Sequence, residues 1–358
     1  MKLSQTIGII ILVIIIGGAV GYKFFYVDKP VTHLKGLVGG EKMAFLENEK
    51  VRSILKKKYG LVVDYSKAGS IEMVKEAAGP DIDFLWPSSQ VALELFKMTK
   101  SSQLLKDEII FNSPIVLYSW DIVVDALIKA GMVRKVDEVY YIFDFPRLLD
   151  LIVDNKKWSD IGLDELFGKI IIISTDPSKS NSGNMFAGLV ANIRNNGDVV
   201  DDGTIDTILP GIKNFFSRLG YMEHSSSDLF EQYLKTGVGA KPIIAGYENQ
   251  IIEFSLQYRD LWPKIKEKMR ILYPEPTVWS AHPLMILKPN AKELITALRD
   301  PEINKIAWES HGFRTGMLGV QNDPKVLQVV GIPGNIIKII PMPGPQVMDK
   351  IIRGIQGN

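Results

Sequence analysis

The sequence predicts an α/β protein of two lobes with two hinge strands between them, preceded by one N-terminal transmembrane helix. Three observations predict it. Apolar, strand-like runs alternate with amphipathic helical runs along most of the chain. Two long extended stretches, "SPIVLYSWDIV" at 113–123 and "EPTVWSAHPLMIL" at 275–287, break that alternation. An uncharged apolar segment runs from Leu3 to Tyr22 at the N-terminus.

That segment comes first. Wound as a helix it would cover about 30 Å, the thickness of a bilayer's hydrocarbon core. A cleaved signal peptide is its rival, because "AVG" at 19–21 offers small residues where a peptidase would cut. The length and the lack of a polar face favour an uncleaved anchor over residues 1–27 with its flank. Lys2 is balanced by Lys23 and Lys29, so charge does not orient it.

A linker at 28–34 follows, then the alternation. "LKGLVGG" reads as a strand and loop, and "MAFLENEKVRSILKKKYG" as one helix stopped by Gly60. "LVVDYSKAG", "SIEMVKEAAG", "DIDFLWP" and "SSQVALELFKMT" read as strand, helix, strand, helix, with Ser88 or Ser89 as the last N-cap. Such order implies a parallel sheet covered on both faces. Helical runs at "WDIVVDALIKAG" and "PRLLDLIVDN", a strand at "KIIIIS" and a helix from Asn184 come next. "IKNFFSRLG", "SSSDLFEQYLKTG" and the strand "KPIIAGYE" precede the second extended stretch, and helices close the chain. With both extended stretches crossing, lobe 1 takes 35–118 and 279–358, and lobe 2 takes 119–278.

Composition narrows the function. The chain has 358 residues, room for two cores, and 42 basic against 41 acidic residues give a net charge of +1. No overall field draws in nucleic acid. The absence of cysteine excludes disulfides, thiolate nucleophiles, thiolate zinc sites and lipid attachment through cysteine. Four scattered histidines, with no H-E-x-x-H pair, offer no metal site. No cofactor is called for.

Polar residues gather at strand ends, where open α/β sheets bind ligands. "GGEKMAF" contributes Glu41 and Lys42, "KAGS" Ser70, and "WPSSQ" Ser88 and Ser89. "STDPSKSNSG" contributes Ser180, Asn181 and Ser182, and "AGYENQ" Tyr247 and Glu248. One serine at a helix start is ordinarily an N-cap; several such loops facing one cleft make a candidate site for a small polar solute. Gly246 lets the backbone approach a ligand beside Tyr247. His282, beside Trp279 on the returning strand, reads as a structural, hydrogen-bonded histidine.

The order "DIDFLWPSSQVALELF", "FNSPIVLYSW", "ISTDPSKSNSGNMF", "AGYENQ", "YPEPTVWSAHP" resembles the type II periplasmic solute-binding proteins, over residues 35–358. The resemblance implies a type II periplasmic-binding-protein fold without catalytic activity that clamps a solute between its lobes outside the cytoplasm. It also implies an ABC permease and ATPase as partners, with the Ser88–Ser89 and Ser180–Ser182 loops facing the solute and Tyr247 closing over it. The absent lipid-attachment cysteine leaves the N-terminal helix as the tether at the cell membrane. The alternative function is a sensory or protein-interaction ectodomain without transport.

Two enzymatic patterns occur, and neither holds. "SILK", "SGN" and "KTG" occur in the order found in penicillin-recognising proteins, but Ser53 and Lys56 fall on the wet face of their helix and Gly237 reads as a C-cap. "GLVGGEK" lacks the spacing that wraps a triphosphate.

Overall fold

The computed structural model describes residues 30–75, 79, 81–317 and 322–357, together with Gly17. The expected membrane segment, Leu3 to Tyr22, otherwise lies outside the described residues. Among those described, no helix is long and apolar enough to cross a membrane.

The first part of the chain forms β1 (Thr32–Val38), α1 (Met43–Glu47), α2 (Glu49–Tyr59), β2 (Leu61–Lys67), α3 (Ser70–Lys75), β3 (Phe84–Trp86) and α4 (Gln90–Lys100). β1 starts inside the expected linker. The single helix expected at 43–59 is two, because the Asn48 side chain accepts from the amides of Lys50 and Val51 and starts a new helix there. Gly60 does end α2, in the left-handed conformation at φ 67°.

The long strand β4 (Lys106–Trp120) leads to α5 (Asp121–Lys129), the hairpin β5 (Val133–Val136) and β6 (Val139–Ile142), and α6 (Phe145–Val153). Then come α7 (Asn181–Arg194), α8 (Ile205–Ser217), α9 (Ser226–Thr236), β7 (Ile243–Tyr247), α10 (Asn249–Gln257), α11 (Trp262–Ile265) and β8 (Met269–Pro274). The chain finishes with β9 (Trp279–Ile286), α12 (Lys292–Leu298), α13 (Pro301–His311), β10 (Arg314–Thr315) and α14 (Pro345–Gln356).

The strands run in the order β2-β1-β3-β9-β4-β8-β6-β5, with β10 and β7 also paired to β4. The sheet is mixed rather than parallel. β1 pairs parallel with β2 and β3, but β9 lies antiparallel between β3 and β4. The "KIIII" run is extended without forming a full strand; Ile173 alone bridges to Ile244 of β7.

β4 belongs to both halves. Residues 106–114 pair with β9, and residues 115–120 pair with β7 and β8. Pro114 stands where the pairing changes, a place where a missing amide donor is tolerated. The return crossing is tied to it there: Ile115 N donates to Val278 O at 3.1 Å and Thr277 Oγ1 to Ile115 O at 2.5 Å. Both expected crossings are therefore present and bonded to each other.

Separate cores lie on the two sides. Leu34, Phe45, Leu55, Phe84, Phe111, Leu284 and Phe313 pack in one, and Leu127, Leu149, Phe186, Leu189, Phe215 and Leu272 in another. The end of the chain departs from expectation. Val347, Met348 and Ile351 of α14 join the second core, with Met342 and Met348 against Gly188 of α7. α14 thus packs on the second lobe rather than the first.

Glu248 is also placed away from its expected role. It is fully buried and meets Arg314 of β10 through two bonds, at 2.7 and 2.9 Å, while Tyr273 OH donates to it at 2.8 Å. Arg314 also donates to the carbonyls of Pro333 and Gly334. With its carboxylate taken up by this planar pair, Glu248 is a structural anion rather than a cleft residue. Removing one partner of such a pair strands the other charge. Arg314→Leu is expected to lower unfolding stability by about 3–5 kcal/mol, and Glu248→Met with Arg314→Met to restore much of it. Urea denaturation of both variants beside the wild type checks this.

Candidate functional site

The candidate site is built around the backbone and side chain of Ser88, between β3 and α4. Its amide donates to Ser70 Oγ at 3.0 Å, so Ser70, the first residue of α3, ties that helix to the loop before α4. Its carbonyl accepts from Asn181 Nδ2 at 2.7 Å and from Ser280 Oγ at 2.7 Å. Its hydroxyl donates to Glu41 and accepts from Lys42 Nζ at 2.6 Å. Asn181 opens α7, so one of these bonds spans the two lobes.

Glu41 and Lys42 come from a single turn of 3-10 helix at Gly40–Lys42, after β1. Lys42 is fully buried, pairs with Glu41, and lies 5.6 Å from the centre of the Trp86 ring. Burial lowers its pKa from the ordinary lysine value, with the Glu41 charge and hydrogen bond opposing. Gly39 makes room for the group: a Cβ there would stand 2.5 Å from both Ser88 Oγ and Glu41 Oε1.

Asn181 Nδ2 also donates to Tyr247 OH at 2.9 Å. The Tyr247 phenol is pushed well up, by burial first and then by the Glu41 charge, so it stays protonated. Gly246 is tight against the chain itself, where a Cβ would meet Gln250 Oε1 at 2.5 Å. Ser180 and Ser182 turn inward within their own lobe: Ser182 Oγ lies 2.8 Å from Thr175 Oγ1 and 3.0 Å from Ser180 Oγ. α7 starts at Asn181, earlier than the expected Asn184. Ser89 is the backbone N-cap of α4, yet its side chain makes no capping bond.

The structure thus brings together Glu41, Lys42, Ser70, Ser88, Ser89, Asn181 and Tyr247, leaves Ser180 on the wall of the adjoining cavity, and sets Ser182 and Glu248 against partners of their own. It adds three residues that the sequence motifs did not assign to the site. Ser113 and Ser280 are opposite each other on β4 and β9. His282 shares a face of β9 with Ser280, by the alternation of strand side chains. A small polar residue interrupting an apolar buried strand, as in "FNSPIV" and "VWSAHP", was the available signal.

His282 is not the hydrogen-bonded structural histidine expected. It is buried among aromatic rings, edge-on to Phe313, and neither ring nitrogen has a hydrogen-bond partner among the described residues. Glu41 Oε1 stands 3.7 Å from Nδ1. A cavity of about 460 Å³ adjoins the site, lined by Ser70, Glu72, Ser178, Ser180 and Asn181 among others.

The enzymatic patterns do not assemble. Lys56 is exposed on α2, and Lys235 pairs with Glu231 on the surface of α9. Among the described residues no cluster of three or more His, Asp or Glu side chains could hold a metal.

No protein-family model and no curated protein matches the sequence. Solved structures do. Iron-bound HitA from Pseudomonas aeruginosa superposes with a TM-score of 0.57 at 14% identity, over 92% of this chain and 99% of that one. The substrate binding protein of an ABC transporter from Agrobacterium tumefaciens gives 0.53 at 12%, over 92% and 96%. The sulfate-binding protein SubI from Mycobacterium tuberculosis gives 0.50 at 14%, over 82% and 88%. The chain has the two-lobed α/β fold of the extracytoplasmic solute-binding proteins, and these neighbours are binding proteins rather than enzymes. At such identities the likeness establishes the fold and says nothing of the solute.

The buried imidazole has a consequence for stability. Burial, then the Lys42 charge, hold its pKa well below the ordinary value. The unfolded chain takes a proton on this ring below about pH 6.5, whereas the folded protein refuses it. The contribution is complete above that pH and is lost as pH falls, by up to about 1.4 kcal/mol per unit. Between pH 7.5 and 5.0 the wild type should therefore lose more stability than His282→Phe in urea denaturation. Identical pH slopes would mean that the ring is not held neutral.

Proposed function

We propose that the chain is the extracytoplasmic solute-binding component of an ABC-type transporter. It clamps a small polar solute between its lobes, is tethered to the cell membrane by its N-terminal segment, and delivers the solute to a permease and its ATPase. The partition of lobes is at the paired crossings, near 114–115 and 278–279, with α14 assigned to the second lobe.

One observation supports this reading above the rest. Five of the nine buried side-chain atoms without hydrogen-bond partners among the described residues belong to residues around the Ser88 site, namely Ser89 Oγ, Ser113 Oγ, Asn181 Oδ1 and both nitrogens of His282; the other four are Gln90 Oε1, Asn184 Oδ1, Arg194 Nε and Asn249 Oδ1. Leaving such an atom unpaired costs about 1–3 kcal/mol. A core selected for stability alone has no reason to collect them in one place. A solute whose own groups meet them converts that cost into affinity.

Closure follows from the same residues. A solute held on the Ser88 side gains contacts from the second lobe only when Asn181 and Tyr247 swing in, so it favours the closed state. Because the natural chain has no cysteine, spin labels at Lys57→Cys on α2 and Arg218→Cys after α8 report the distance between lobes cleanly. Two distance populations are expected, with Asn181→Ala moving weight to the longer one. A single distance, indifferent to Asn181→Ala, would argue against a clamp.

A further inference from the structure

The cavity beside Ser180 continues into a second space. Ile71, Pro177, Ser178 and Asn184 line it and also line a groove of about 900 Å³. Both spaces have a wall from each lobe. The cavity lies between α3 and the loop before α7, and the groove adds α4 on one side and α14 on the other. Each is of the size that small-molecule sites have.

The two ends differ in chemistry. Ser70, Glu72, Lys179, Ser180 and Asn181 line the cavity, with one charge of each sign. Two of the buried atoms without partners among the described residues are here, Asn181 Oδ1 and Asn184 Oδ1. Asn181 directs Nδ2 at the Ser88 carbonyl and Asn184 directs Nδ2 at that of Pro177, at 3.5 Å, which leaves both oxygens toward other groups. Gln90, Arg194 and Asn249 line neither space.

The groove is apolar along its helices. Val91, Leu95 and Met98 recur at i, i+4 and i+7, a stripe of α4 about 10 Å long. Met348 and Ile352 form a matching pair on α14. Gln346 Nε2 reaches Met98 Sδ at 3.5 Å, so the helices meet at one point, but open space separates the two stripes and Met98 is left 57% exposed. Apolar helix faces this close ordinarily interlock. Among the charged residues on its walls, Lys350 pairs with Asp202 and Arg353 with Asp349.

Resting on the solute-binding reading above, we infer that the solute is an amphiphile, with a polar head in the cavity among Ser70, Glu72, Lys179 and Asn181 and an unbranched aliphatic tail in the groove between α4 and α14. Charges of both signs at the head end leave selectivity to the tail. Methionines 98 and 348 supply flexible walls that adapt to it. Because α4 and α14 belong to different lobes, a tail touches both only when the clamp is closed, and tail length favours closure.

The test is calorimetric titration of the full chain with acetate, butanoate, hexanoate and octanoate and with the matching primary amines. Detergent is itself an amphiphile, so the chain is held in lipid nanodiscs, and empty discs titrated alongside subtract partition into lipid. In one series or both, affinity should rise about fourfold per added methylene. Leu95→Gln with Met98→Gln, and separately Ile352→Gln on the opposite wall, should flatten that rise to less than twofold. Asn181→Ala should weaken all members by a common factor and keep the slope. Binding that does not grow with chain length, or a slope that survives both groove variants, overturns the amphiphile and leaves solute binding standing. Silence from every probe overturns both.

Discussion

Ser88 is the point on which the site depends, because one residue there ties together groups from four other segments. Its amide holds the loop before α3, its carbonyl holds both α7 and β9, and its hydroxyl holds the Glu41–Lys42 turn. Backbone polar groups buried away from water must be paired, and the choice of partners decides what else is brought near. Here the partners come from both lobes. The cleft's closed geometry is therefore written into the hydrogen bonding of a single peptide unit and its side chain.

That arrangement is possible because β4 runs through both halves of the sheet without interruption. Strands paired to its first half carry Ser280 and His282, and a strand paired to its second half carries Tyr247. The distance between these side chains is set by register along one strand rather than by packing between two independent bodies. Thr277 and Val278 bond the return crossing to Ile115, and Thr277 also bonds to Lys338 and Ile340 on the way to α14, so three passages of the chain meet between the lobes. In the proposed clamp, motion about this junction would carry Asn181 toward or away from Ser88 while leaving each core intact.

Much of this was legible in the sequence, and the limits have physical causes. The alternation of strands and helices, both crossings and the loops bearing Ser88 and Asn181 follow from local periodicity and capping chemistry, which act over a few residues. The antiparallel placement of β9 and the docking of α14 on the second core depend on pairings between distant segments, which local pattern does not encode. Glu248 illustrates the difference. "AGYENQ" correctly puts it at a strand end, but its partner is Arg314, 66 positions away, and only that pairing turns a candidate ligand group into a structural one. Ser180 and Ser182 fail for a smaller reason: a loop's serines can face inward as readily as outward, and Thr175 supplies the inward partner.

The balance between closed and open states follows from the kind of bonds that cross the cleft. The bond from Asn181 to Ser88 joins two neutral groups, and such a bond contributes about 0.5–1.5 kcal/mol net. Set against it is the burial of His282 and of amide oxygens that no donor within the described residues reaches. In the proposed clamp, a closed state stabilised by weak bonds and penalised by unpaired atoms would lie near the open one in free energy. A solute then needs only modest preference for the closed form to shift the population, and the same unpaired atoms provide that preference. A cleft sealed by ion pairs would resist opening. One that closes on unsatisfied polar atoms closes fully only around a molecule that satisfies them.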